Sequence, residues 1–153
     1  MLRVGDKAPP FAGRDATGKA LSLEDFAGTK NVVLYFYPRD FTPGCTKEAC
    51  SFRDAWDELA GKDTMVIGVS RDDESSHREF ANKHRLPFPL LADESGAISR
   101  RYEVMGGLRG LIGMPKRVTY VIDKKGIVQG VFHHELRVEL HLGDVRRLID
   151  ELP

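Results

Sequence analysis

The stretch "NVVLYFYPRDFTPGCTKEAC", residues 31–50, sets a hydrophobic run directly against a segment that holds both cysteines of the chain. Its first half, "NVVLYFYP" (31–38), is almost unbroken in apolar and β-branched residues and is closed by a proline, the signature of a strand buried on both faces. Its second half opens a helix. Thr42 takes the N-cap position and Pro43 the first helical position, where a missing N–H costs nothing. The helix is predicted to run to Ala60. Cys45 then falls in the first turn, where unbonded backbone N–H groups and the positive end of the helix dipole favour a thiolate. Counting on from Cys45 by fours and threes gives Ala49, Phe52, Trp56 and Leu59, an apolar stripe that must face the sheet. Phe52 and Trp56 are read as core residues.

Outward from this stretch the chain alternates strands and helices. "DTMVIGVS" (63–70) repeats the character of the first strand, and "RVTYVID" (117–123), turned by "KKG" into "IVQGVFHH" (127–134), reads as an antiparallel hairpin. A second helix is predicted over Ser75–His84, stopped by Leu86-Pro87 because the residue before proline disfavours helical geometry. Shorter helices are expected at 95–102 and 143–152. Strand, helix, strand, helix, then a hairpin and a closing helix predict an α/β fold, thioredoxin-like in outline, with a central mixed sheet and helices on both faces. With 153 residues and no linker or repeat, one domain over 1–153 is expected.

Composition narrows the function. Lys plus Arg equals Asp plus Glu at 23 each, and neither sign gathers in a run, so there is no electrostatic footprint for nucleic acid or an anionic membrane. The opening "MLRVGDKAPPFAG" carries charges at Arg3, Asp6 and Lys7 and lacks a signal-peptide core, and no stretch approaches the length of a membrane span. A cytoplasmic location is therefore expected. In a reducing compartment a pair of cysteines points to catalysis, redox chemistry or metal binding rather than to a staple.

Five residues apart on one helix, Cys45 and Cys50 point in different directions, with Cα atoms about 8 to 9 Å apart, whereas a disulfide needs less than about 7 Å. They cannot bond while the helix is intact. The residues alone leave two unrelated helix cysteines as an open reading. Metal binding is disfavoured, because a site wants three or four ligands and the five histidines show no partnering spacing.

The pattern around Cys45 resembles the peroxiredoxins, thiol peroxidases of the thioredoxin fold. Their motif P-x-x-x-(T/S)-x-x-C is met by Pro38, Thr42 and Cys45 in "PRDFTPGC". The likeness extends over nearly the whole chain. "GDKAPPF", "TPGCTKEACSFRD", "SHREFANKHRLPFPLLAD" and "RVTYVIDKKG" are similar to the bacterioferritin comigratory, or PrxQ, branch. The resemblance implies that Cys45 is the peroxidatic nucleophile, Cys50 the resolving cysteine, and Arg117 the arginine that leads the later strand. It implies no cofactor, a peroxide substrate and thioredoxin or a similar dithiol as reductant. The glycine-rich "EVMGGLRGLIGMP" (103–115) departs from that branch and bears on the pocket wall and substrate preference.

Chemistry gives these residues parts. As sulfur attacks a peroxide, charge leaves it and builds on the departing oxygen, so donors must stand on both sides. Arg117 can hold the thiolate and polarise the peroxide, while the Thr42 hydroxyl and the N–H groups of Gly44 and Cys45 can bind its oxygens. Pro38 shields sulfur from water, and Glu48, one turn beyond Cys45, is placed to orient an arginine. Without the motif the same residues are an N-cap, a strand terminator, a charge at a strand start and, for Glu48, a surface helix position. His133 and His134 read as hairpin surface. Two other functions compete: a general thiol-disulfide oxidoreductase, which lacks its usual C-x-x-C here, and a redox sensor or oxidation-dependent chaperone. An intramolecular bond needs no second subunit, which favours a monomer.

Overall fold

The computed structural model describes residues 1–106 and 113–153. Strand β3 (Asn31–Phe36) is buried along its whole length. Its side chains alternate between two cores, Val32, Leu34 and Phe36 entering one and Val33 and Tyr35 the other. That is why the run reads as apolar without a break. β4 (Thr64–Ser70) lies parallel to β3, with Asn31 opposite Thr64 and Phe36 opposite Val69. Between them run α1 (Pro43–Asp54) and α2 (Trp56–Ala60), the crossover that a parallel pair requires. β5 (Leu90–Ala92) continues the parallel edge, while β6 (Val118–Ile122) and β7 (Val128–His133) pair antiparallel on the other side, giving the order β5-β4-β3-β6-β7. At the β6–β7 turn the Asp123 carboxylate accepts N–H bonds from Lys125 and Ile127, and Gly126 takes φ 79°.

Helices cover both faces. The stripe Cys45, Ala49, Phe52 and Leu59 packs against Tyr35, Val66 and Leu90 in one core, joined by Val145 and Ile149 of α5 (Glu139–Glu151) and Phe80 of α3 (Glu74–His84). Ile98 of α4 (Ala97–Arg101) packs into the other, with Phe11, Tyr102 and Tyr120. A small hairpin, β1 (Ala12–Arg14) with β2 (Ala20–Ser22), flanks the main sheet. The α/β, thioredoxin-like reading is borne out. Among the described residues no helix is long and apolar enough to cross a membrane.

Three readings differ from expectation. The single helix predicted to Ala60 breaks at Ala55 (φ −94°, ψ 2°) into α1 and α2. α3 ends at His84 as predicted, its C-cap Arg85 in the left-handed region at φ 53° just before Leu86-Pro87. α5 begins at Glu139, four residues before the expected start. Val138, its N-cap, has helical geometry and makes no capping bond, so there was no capping residue to read. β1, β2 and β5 are three residues each, too short for a period to register.

Candidate active site

The site lies where the start of α1 meets the entry to β6. As predicted, Thr42 occupies the N-cap position of α1 and Pro43 its first turn, but the Thr42 hydroxyl does not cap. It donates instead to the Arg39 carbonyl at 2.9 Å, which ties down the loop entering the helix. Pro38 is buried at the end of β3. Cys45 is 1% exposed and not in a disulfide, at the top of the buried stripe.

Arg117 reaches it from immediately before β6. Its Nη1 donates to Cys45 Sγ at 3.3 Å and to Glu48 Oε1 at 3.1 Å. Two bonds to one residue fix its base: the backbone N–H donates to Glu135 Oε1 at 3.0 Å and Nε to the Glu135 carbonyl at 3.3 Å. Burial works against the charge of Arg117, but Cys45 and Glu48 beside it more than offset this and raise its pKa. Gly44 makes the approach possible. A Cβ there would stand 3.1 Å from Arg117 Nη2, so any side chain would press on the guanidinium.

Glu48 is not a surface residue. The i, i+3 spacing from Cys45 puts it on the same inward face, and it is fully buried. Burial pushes its pKa up to about 8, against the pull of Arg117 in the other direction. The predicted placement of Glu48 beside an arginine holds, and its surface alternative does not.

Cys50 stands apart. It is half-buried, with Sγ 3.8 Å from His84 Nδ1 at the end of α3. Arg53, one turn on, donates to the His84 carbonyl at 2.9 Å and so clasps α1 to α3. The structure thus brings Cys45, Arg117, Glu48 and Gly44 together at the start of α1, where Thr42 is the N-cap, with Pro38 buried just after β3 and Cys50 on a different face of the same intact helix. Phe52 is core, stacked on Tyr35 at 5.0 Å between ring centroids, whereas Trp56 is only half-buried, beside Phe88 at 6.3 Å.

Sequence reasoning missed the ring behind Glu48. His141 of α5 is buried, its Nδ1 2.8 Å from Thr119 Oγ1 and 3.6 Å from Glu48 Oε2. Its Nε2 lies 2.9 Å from the His134 carbonyl. His134, read as hairpin surface, is therefore structural: its own Nε2 contacts Asp144 Oδ2 at 2.7 Å and its ring packs edge-on against His141. The available signal was the position of His141 on the inward face of α5, four residues before Val145. His133 keeps to the surface, against Glu135 at 2.9 Å.

Among the described residues one group has metal-ligating composition, Asp40, Asp72 and His77. Its donors and acceptors engage one another: Asp40 takes bonds from the Tyr37 and Ser76 hydroxyls and meets His77 Nδ1 at 2.7 Å, and Asp72 takes bonds from Ser70 and the Asp40 amide. A groove of about 900 Å³ lined by Arg78, Arg85 and Phe88 lies elsewhere and includes none of the site residues. Of the glycine-rich loop expected to wall the pocket, residues 107–112 lie outside the described residues.

Residues 4–131 match the model of the AhpC/TSA family. The chain is 46% identical to the chloroplastic peroxiredoxin Q of Triticum aestivum, over 97% of this chain and 67% of that protein. The chloroplastic peroxiredoxin Q of Populus jackii is also 46% identical, over 99% and 70%. Among solved structures, the peroxidoxin BcpB of Mycobacterium tuberculosis superposes with a TM-score of 0.91 at 35% identity, covering 100% of this chain and 99% of that one. The Xanthomonas campestris bacterioferritin comigratory protein, described for its alkyl peroxide reduction activity, gives 0.84 at 28% identity over 92% and 90%.

Proposed function

The chain belongs to the AhpC/TSA family and is a peroxiredoxin of the Q type, a thiol-dependent peroxidase, and from that premise we propose that Cys45 is its peroxidatic nucleophile and Cys50 the thiol that resolves it. The Cys45 thiolate attacks the peroxide, breaking the O–O bond and leaving a sulfenic acid and an alcohol or water. Cys50 then displaces water from that sulfenic acid to form an intramolecular disulfide, which thioredoxin or a similar dithiol reduces. No cofactor enters the cycle. The observation that carries this reading is the 3.3 Å bond from Arg117 Nη1 to the sulfur of a buried cysteine in the first turn of a helix.

Each site residue has a physical task in this scheme. Arg117 stabilises the thiolate and then the charge that develops on the departing oxygen. Glu48 and the Glu135 backbone hold the guanidinium in place, and Gly44 leaves room for it. The N–H groups of Gly44 and Cys45, free of intrahelical partners by position, bind peroxide oxygens. Thr42 and Pro38 shape the approach. Both hydrogen peroxide and organic hydroperoxides are substrates, the latter supported by the alkyl peroxide activity of the Xanthomonas relative. The chain acts as a monomer in the cytoplasm.

Turnover tests the scheme. Steady peroxide consumption with thioredoxin and its reductase is expected from the wild type and none from Cys45→Ser. Cys50→Ser should consume about one equivalent and stop as the sulfenic acid. Thioredoxin-dependent turnover by Cys45→Ser would reverse the assignment, and a single stoichiometric oxidation of the wild type would favour a sensor.

A further inference from the structure

Glu48 meets two different environments with its two oxygens. Oε1 accepts a bond from Arg117 Nη1, while Oε2, on the far side, is buried with no hydrogen-bond partner. What Oε2 faces is His141 Nδ1, at 3.6 Å. The tautomer of that ring follows from its other nitrogen. Nε2 lies against the His134 carbonyl, which can only accept, so Nε2 carries the hydrogen. Burial keeps the ring neutral, its pKa lowered to about 4. Nδ1 therefore presents a lone pair, toward which the Thr119 hydroxyl points its hydrogen at 2.8 Å. A carboxylate oxygen gains nothing beside a lone pair in a dry site. That lone pair is already engaged by Thr119 and lies beyond hydrogen-bond reach, so nothing replaces the water Oε2 has lost, and burying the neutral acid costs less than burying the carboxylate.

The surrounding charges lead the same way. Glu48 is faced by Cys45 from its own helix, by Arg117 at the entry to β6, by Glu135 from the segment after β7, by neutral His141 from α5 and by the buried Tyr35 hydroxyl from β3. Arg117 supplies one positive charge. A thiolate at Cys45 and a carboxylate at Glu48 together would leave this buried cluster with a surplus of negative charge, already increased by Glu135.

We propose that Glu48 stores a proton while Cys45 is a thiolate and releases it when Cys45 is oxidised, so that Arg117 faces one of the two anions at each stage. The inference rests on Cys45 being the nucleophile. In the peroxide step the thiolate sulfur is oxidised to the sulfenic acid, forming an S–O bond as the O–O bond breaks, and the departing oxygen leaves as an alkoxide or hydroxide that needs one proton. Glu48 supplies that equivalent and becomes the carboxylate: thiolate plus hydroperoxide plus carboxylic acid give sulfenic acid, alcohol and carboxylate. The charge of the site is unchanged, and no proton is drawn from bulk solvent.

The proton count decides it. Cys50→Ser protein, which stops at the sulfenic acid, is mixed with one equivalent of hydrogen peroxide in weak buffer near neutral pH with an indicator dye. No net proton uptake is expected. With Cys50→Ser and Glu48→Gln together, one proton per sulfenic acid is expected, because the amide has none to give. Infrared difference spectra of the Cys50→Ser protein should also lose a protonated-carboxyl band on oxidation, a band absent once Gln replaces Glu48. Uptake of one proton by both proteins, or of none by both, would overturn the proposal. If the mass of Cys45 does not rise by one oxygen, the reading of Cys45 as nucleophile is overturned, a result distinct from any proton count.

Discussion

Oxidation of the pair should unwind the first two turns of α1. In the reduced structure the helix is intact from Pro43, with the Thr46 amide bonded to the Thr42 carbonyl at 2.9 Å. Five helical residues hold the two Cα atoms about 8 to 9 Å apart, beyond the reach of a disulfide. Opening residues 44–51 withdraws Cys45 and Ala49 from the core, about 1 kcal/mol each. It also breaks the charged bond from Arg117 to Glu48, about 1.5–3 kcal/mol more. The reduced segment is therefore closed by about 3.5–5 kcal/mol, while the disulfide would hold it open. At about 1.4 kcal/mol per factor of ten, its amides should exchange on the order of 10²- to 10⁴-fold faster in the oxidised protein. Phe52, stacked between the sheet and its neighbours, and Leu59 hold the remainder, so amides beyond Trp56 should scarcely change. Hydrogen exchange followed by mass spectrometry on the two redox forms reads this directly. Equal protection of residues 44–51 in both would mean that Cys50 does not bond Cys45.

Replacing Arg117 with Met, of similar length, should slow the peroxide step on the order of 10²-fold or more, measured by stopped-flow on the reduced protein; an unchanged rate constant removes Arg117 from the site. The pH dependence of stability separates the two buried titrating groups behind it. His141 is neutral when folded, with a pKa of about 4, so it removes stability as pH falls from about 6.5 towards 4, by up to about 3 kcal/mol. Glu48, raised to about 8, works the other way, adding stability as pH falls from about 8 to about 4.5. The two oppose each other between about pH 4.5 and 6.5, so urea midpoints of the wild type should be nearly flat there and those of Glu48→Gln should fall with acid; parallel curves would show that the groups do not titrate as described.

What was legible in the sequence is what local chemistry records. β3 and β4 announce themselves because strands buried on both faces are apolar nearly throughout, with polar residues only at their ends, and the start of α1 because Pro43 is tolerated in so few helical positions. Arg117 was reached only through the family motif. It stands 72 residues from Cys45, and nothing in the composition of "KRVTYV" says that its first arginine turns inward. Glu48 carried a readable signal in its spacing from Cys45, yet a lone glutamate on a helix is ordinarily solvated, and only the arginine opposite explains its burial. The partnership of His141 with Thr119 and Glu48 depends on α5 crossing behind β6, a tertiary fact that no window of sequence contains. The break at Ala55 was invisible for the opposite reason: alanine has the highest helix propensity of all, and packing overrode it.

That break gives α1 its mechanical character. Because the chain leaves helical geometry at Ala55, Trp56 and Leu59 of α2 anchor the crossover on their own account, and unwinding from Pro43 has a place to stop. In the proposed cycle the same short helix carries Cys45, Glu48 and Cys50, so any opening that lets the cysteines meet would also pull Glu48 from Arg117 and dismantle the peroxide site. The peroxide step must then precede the opening, and the two demands pull in opposite directions. A tighter α1 holds the thiolate and its arginine in register but leaves the sulfenic acid waiting, where a second peroxide can carry it on to sulfinic acid. A looser one resolves quickly and spends less time assembled. The clasp of Arg53 on the His84 carbonyl and the Arg117–Glu48 bond, at opposite ends of α1, are the two contacts that set this balance. The first touches neither Cys45 nor Arg117, so loosening it should protect Cys45 from overoxidation and leave the peroxide rate constant as it was.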